Sequence, residues 1–172
     1  MKITCKTIYD IKTLSAMSLV LRKTLRRRFN RLVSLYLWAV AGLILVSIWL
    51  SLEDPLLLAW NVAAFLLLMA VQFKQDALNA FFARRKQIPG AKECHTDFYP
   101  DCYEAVLPGV TTQWNYDRIL VLAETRDYIV LVLGKNHAQA YPKSGLTGST
   151  AEEFLRFLEQ KTGKTTKKFG RW

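Results

Sequence analysis

Residues 32–73 read LVSLYLWAVAGLILVSIWLSLEDPLLLAWNVAAFLLLMAVQF. From Leu32 to Leu52 no side chain carries a formal charge, and from Pro55 to Phe73 none does either; Glu53 and Asp54 alone stand between. A bilayer core about 30 Å thick is crossed by roughly 20 helical residues rising about 1.5 Å each. Each run therefore has the length of one span. As buried core helices, two such runs would demand a larger core than a 172-residue chain can build. A secretory signal fits no better, because the first run begins only at Leu32 and exceeds the usual apolar stretch of about 7–15 residues. The expectation is a transmembrane hairpin, with spans at 32–52 and 55–73 and the second helix extending as far as residue 86.

The flanks of the two runs set the expected orientation. Lys and Arg outnumber Asp and Glu by 24 to 14, for a net charge of +10. Arg22, Lys23, Arg26, Arg27, Arg28 and Arg31 precede the first span, and Lys74, Arg84, Arg85 and Lys86 follow the second. Positive residues stay on the cytoplasmic side. Both termini are thus expected in the cytoplasm of a plasma (inner) membrane protein, with the acidic turn outside. Trp38, Trp49 and Trp60 are the expected membrane-interface residues, since an amphipathic ring suits the headgroup layer. Arg26, Arg27, Arg28, Lys164, Lys167, Lys168 and Arg171 are the cations expected to touch anionic lipid. Juxtamembrane charge accounts for the arginine run, and no nucleic-acid partner is expected.

Residues 1–31 read as a short strand, with Ile3, Cys5, Thr7 and Tyr9 on one face, then a basic helix from Asp10 to Arg31. Leu14, Met17, Leu21 and Leu25 recur at helical spacing. That stripe either lies on the inner leaflet or packs on the cytoplasmic domain. Ile88-Pro89-Gly90 is the expected helix stop. Beyond it the period shortens. Strands are expected at 93–99, 103–107, 111–116, 119–123, 128–133 and 137–141, separated by Pro, Gly, Asn and Asp turns. A helix over 151–161 follows, capped by Ser149 or Thr150 with Glu152 or Glu153, and Gly163 ends it. Residues 90–163 thus form the expected β-rich cytoplasmic domain, and 164–172 a basic tail, disordered or lipid-associated.

The run Trp114-Asn115-Tyr116-Asp117-Arg118-Ile119, then Glu124, Tyr128-Ile129-Val130-Leu131, Ala140-Tyr141-Pro142-Lys143 and Phe154-Leu155-Phe157-Leu158, resembles the C-terminal domain of YcxB-like bacterial membrane proteins. The resemblance implies an α+β membrane protein: a two-helix hairpin followed by a small pleckstrin-homology-like domain closed by a C-terminal helix. Tyr141 stands where such proteins often carry Ile before Pro-Lys, and the family brings no defined activity.

Chemistry-bearing motifs are sparse. Cys94 and His95 are adjacent, so a strand turns them to opposite faces, and neither they nor Cys102 and His137 have the C-x-x-C spacing of structural zinc sites. The closely spaced acids Asp97, Asp101 and Glu104 are expected in or near turns, where Asp is common for backbone reasons. Phosphate-loop, G-x-S-x-G and H-E-x-x-H patterns are absent from the sequence. No catalytic residue, cofactor or metal is expected. Asn61 is a strongly polar side chain within the spans, suited to bonding another helix or a second copy. The expected role is a non-enzymatic adaptor or regulator that presents a binding module at the inner leaflet to a protein partner or a homo-oligomer. The alternatives are an immunity protein that neutralises a toxin, and a small oligomeric transporter or pore.

Overall fold

Period-two burial in Ile3–Ile8 makes strand β1, with Ile3, Cys5 and Thr7 inward and Lys6 and Ile8 outward. The computed structural model describes residues 3–85 and 93–170. The expected stop at Ile88-Pro89-Gly90, Lys86, Arg171 and the extreme ends lie outside the described residues. After β1 come helices α1 (Ile11–Lys23), α2 (Arg27–Leu50), α3 (Pro55–Phe73) and α4 (Gln75–Arg85). Strands β2 (Glu93–Phe98), β3 (Cys102–Leu107), β4 (Val110–Asn115), β5 (Val121–Glu124), β6 (Tyr128–Gly134), β7 (His137–Pro142) and β8 (Leu146–Thr147) follow. Helix α5 (Ala151–Thr162) and a last short strand β9 (Lys167–Lys168) complete an α+β fold.

Two helices, α2 and α3, are long and apolar enough to cross a membrane, and the protein buries almost none of their surface. Asp54 caps α3, accepting from the Leu56 and Leu57 amides at 3.0 and 3.1 Å, and Pro55 occupies the first turn, where its missing N–H costs nothing. Polar side chains tie the hairpin. The Asn61 amide donates to Ser51 Oγ at 3.0 Å, and Gln72 donates to Ser34 Oγ at 2.8 Å.

The strands form two sheets, in the orders β4-β3-β2-β1-β8 and β7-β6-β5-β9. The first is antiparallel, with β1 lying between β2 and β8 and Ile3 opposite Phe98. The N-terminal strand therefore belongs to the same sheet as residues 93–115, and a domain boundary near residue 90 does not enclose it. The α1–α4 segment is an insertion between two neighbouring strands.

Strand β6 is buried on both faces. Ile129 and Leu131 join the cluster of Ile3, Phe98, Tyr103, Leu122, Phe154 and Leu158, where α5 closes the space beside the sheets. Val130 and Val132 join Val20, Leu21, Ala123 and Ala138 on the other side. Of the stripe expected on this helix, Leu21 and Met17 pack on the domain at this cluster, whereas Leu25 lies beyond the end of α1 and is exposed. Helix α5 starts with the Thr150–Glu153 capping box and ends at Gly163, whose φ of 65° is left-handed and favours glycine. Gly145 has a different constraint: a Cβ there would collide with the Lys6 carbonyl of β1.

Three expectations need correction. Asp97 and Glu104 do not lie in turns: they are within β2 and β3, and of the three acids Asp101 alone is in the turn between those strands. The basic helix does not run unbroken from Asp10 to Arg31. It stops at Lys23, because Thr24 turns its hydroxyl back onto the Val20 carbonyl at 2.6 Å and the Arg26 amide bonds Leu21 O. The tail is not disordered over its described residues. Strand β9 pairs in parallel with β5, the Phe169 amide donates to Glu124 O at 2.8 Å, and the Phe169 ring packs on the second cluster, with Lys23 Nζ 5.9 Å from its centre.

Phe154→Ala is expected to cost about 3–5 kcal/mol, because a fully buried ring packed between two aromatic neighbours, Phe98 and Tyr141, cannot be refilled by relaxation. Arg156→Ala, exposed on the same helix, serves as the control. Thermal unfolding of the full chain in neutral detergent reads the difference; equal melting of the two variants would place Phe154 outside the core.

Candidate functional site

The domain and the hairpin meet where α1 packs on α4. Asp76, in the first turn of α4, is 2% exposed, yet its carboxylate is held on every side. Arg22 donates from Nε at 2.9 Å and from its terminal nitrogen at 2.5 Å, and Ser18 Oγ donates at 3.2 Å. A forked guanidinium on a carboxylate fixes geometry as well as charge. The position also places a negative group beside the free amides of a helix start. Asn79 extends the contact to Ser18 at 3.4 Å. This cluster fixes α4, and with it the end of the apolar hairpin, to a helix that is itself part of the domain core.

Beside this lock lies a cleft of about 770 Å³. One wall is α1, with Ile11, Lys12 and Leu19; a second is the α3–α4 junction at Phe73 and Lys74. The turn between β5 and β6, with Arg126, and the tail at Phe169 close it. Lys12, Lys74 and Arg126 bring positive charge to its rim, against the single acid Asp127. Asp127 sits 3.9 Å from Arg126, and both are largely exposed. Nearby carboxylates are already engaged. Glu124 takes Lys143 at 2.7 Å and Lys168 at 3.8 Å, and Asp76 takes Arg22. Lys12 and Lys74 have no ion-pair partner among the described residues. Sequence spacing carries no signal for this grouping, since its cations come from three separate segments.

The cations singled out from sequence are placed differently. Arg26 leaves the helix stripe to bond Lys135 O at 3.0 Å and Asn136 Oδ1 at 2.6 Å, clamping the β6–β7 turn. Lys164 Nζ donates to the Ile119 carbonyl. Lys167 and Lys168 are exposed on β9, and Arg27 and Arg28 are exposed at the start of α2. Arg171 lies outside the described residues. Trp38, Trp49 and Trp60 project from the hairpin at 53%, 71% and 70% exposure. A second, shallower cleft of about 490 Å³ is lined by Gln113, Trp114, Asn115, Arg118 and Leu133.

The cysteines and histidines are dispersed. His95 faces outward and meets Glu93 at 3.0 Å, while Cys94 faces inward toward Thr96. His137 lies against the Trp114 ring, and its burial lowers its pKa. Among the described residues no three His, Cys, Asp or Glu side chains gather to hold a metal. Burial raises the thiol of Cys5 to about 11 and also raises that of Cys94. Comparison with protein-family models, with curated proteins and with solved structures finds no match to this chain.

Two outcomes follow from this geometry. Arg22→Ala leaves a buried carboxylate unpaired and is expected to cost about 3–5 kcal/mol, whereas Arg22→Leu with Asp76→Leu recovers much of that loss. A double variant no more stable than Arg22→Ala would show that the ion pair adds stability of its own. Maleimide at pH 7 is expected to modify the half-buried Cys102 well before Cys5 and Cys94, whose raised pKa values leave little thiolate until the solution is strongly alkaline. Mass spectrometry of the native chain reads the order of modification, and early labelling of Cys5 would contradict the burial of β1.

Proposed function

We propose that this chain is a plasma-membrane protein that holds a folded binding or regulatory module at the inner leaflet and performs no catalysis. The observation that carries the reading is the bare apolar surface of the hairpin. Trp49, Leu50, Leu56 and Trp60 are each at least 70% exposed, and no residue of α3 is buried. Apolar area left in water costs about 25 cal/mol per Å², and patches of this extent mark membrane or protein contact. Lipid covers such a surface over a whole span.

The β1–β2 pairing supports a two-crossing arrangement with both ends on one side. These strands share a ladder from Ile3–Phe98 to Ile8–Glu93, so the chain must leave and return to the same compartment. An even number of crossings does this. The flanking cations favour the cytoplasm as that compartment. Two sheets closed by a C-terminal amphipathic helix support a pleckstrin-homology-like domain, and the order of hairpin and domain supports a YcxB-like membrane protein. In this reading the hairpin is an insertion after the first strand of the domain.

The orientation is checked by cysteine placement in a background lacking Cys5, Cys94 and Cys102. An impermeant maleimide added to intact cells is expected to label Glu53→Cys and to spare Lys161→Cys until the cells are opened. Both positions are exposed. Labelling of Lys161→Cys in intact cells would reverse the topology, and release of the protein by alkaline washing would remove the membrane reading altogether.

A further inference from the structure

We propose that the cleft rimmed by Lys12, Lys74 and Arg126 holds the phosphate headgroup of an anionic phospholipid from the inner leaflet. This rests on the membrane reading above, because the position of the cleft along the bilayer normal is set by the apolar hairpin. Phe73 is the last residue of α3 and Lys74 the next, and both line the cleft. If α3 crosses the bilayer, the cleft opens at the depth where lipid phosphates lie. A lysine immediately past an apolar span is well placed to reach that layer.

Charge gives the second reason. Lys12 on α1 and Lys74 at the end of α3 line one space with Arg126, against the single acid Asp127, which lies 3.9 Å from Arg126, while Glu124 and Asp76 are occupied by other cations. Like charges gathered around one space repel, and an anion between them reverses the sign of that interaction. The third reason is the mixed wall. Ile11, Leu19, Phe73 and Phe169 supply apolar area, beside the cations, that inorganic phosphate would leave unused. A phosphodiester with an attached glycerol and acyl chain uses both kinds of surface. The volume of about 770 Å³ falls within the roughly 300–1,000 Å³ of small-molecule sites.

The Lys12–Lys74 cleft is distinct from any diffuse attraction of the exposed Arg27 and Arg28 at the start of α2 to an anionic surface. A diffuse contact responds to total charge; the cleft depends on particular side chains and on headgroup type.

The test uses the full chain, purified in neutral detergent and exchanged against equal amounts of phosphatidylglycerol and phosphatidylcholine, with retained lipid measured by native mass spectrometry. Preferential retention of one phosphatidylglycerol is expected. Lys12→Gln with Lys74→Gln should reduce that retention by about tenfold or more, while Lys12→Arg with Lys74→Arg keeps most of it and Arg27→Gln with Arg28→Gln leaves it unchanged. Arg126→Gln, on an exposed turn, should reduce it several-fold without touching the core, so the test survives poor folding of the double variant. Equal retention of both lipids, or loss only with the Arg27 and Arg28 variant, overturns the site. Displacement of the lipid by millimolar inorganic phosphate assigns the cleft to a soluble phosphate instead and overturns the lipid assignment. Alkaline extraction separates the two levels of failure. A protein that washes off the membrane refutes the hairpin reading, whereas one that stays but retains no anionic lipid refutes the cleft alone.

Discussion

The pairing of β1 with β2 constrains everything placed between them. Six residues at the start of the chain lie antiparallel to six that begin at Glu93, and β8 pairs on the other side of β1. Closing so long a loop carries an entropic cost that rises only slowly with length. The ladder can therefore tolerate a large insertion, provided that the insertion returns its ends to neighbouring positions. A helical hairpin does so by its geometry. The two apolar helices run out and back, and the polar contacts Asn61–Ser51 and Gln72–Ser34 hold them side by side.

Burial of β6 on both faces imposes the second requirement. Ile129 and Leu131 are covered by the strands and α5, but Val130 and Val132 would lie bare without a further layer. Helix α1 supplies it with Val20 and Leu21. The same helix holds α4 through Arg22 and Asp76. One helix thus serves the core on one face and the hairpin on another. Any force that tilts the hairpin acts on the domain through a buried ion pair, with little freedom to slide.

Much of this was legible in the sequence because the signals were local. The apolar runs, the acidic turn, the strands punctuated by Pro, Gly and Asn, and the Thr150–Glu153 cap each lie within a few residues. Ile129–Leu133, apolar at successive positions, already required cover on both faces. What sequence did not show is non-local. Nothing within Ile3–Ile8 says that its partner begins at Glu93, and nothing in Lys164–Phe169 says that a parallel strand will find β5. The helix break at Thr24 is a smaller case. Threonine is tolerated within helices, and it stops this one through its bond to Val20 together with the clamp of Arg26 on Asn136. The grouping of Lys12, Lys74 and Arg126 needed the whole fold before it could be seen.

The division of the arginines shows why charge counted along a chain is a poor guide to contact. Arg22 and Arg26, counted from sequence as juxtamembrane cations, are bonded in the fold to Asp76 and to the β6–β7 turn. Arg27, Arg28 and Arg31 remain exposed beside α2. Membrane orientation under the positive-inside rule depends on the Lys and Arg near a span. For a hairpin inserted before the distant β1–β2 ladder closes, the partners those side chains later acquire have no influence on it. All of the flanking cations then count toward topology, including those that the folded domain consumes. Which cations stay available for other contacts is decided afterwards by folding: Arg22 and Arg26 are consumed, whereas Arg27, Arg28 and Arg31 on α2, Lys12 on α1 and Lys74 at the α3–α4 junction have no ion-pair partner among the described residues.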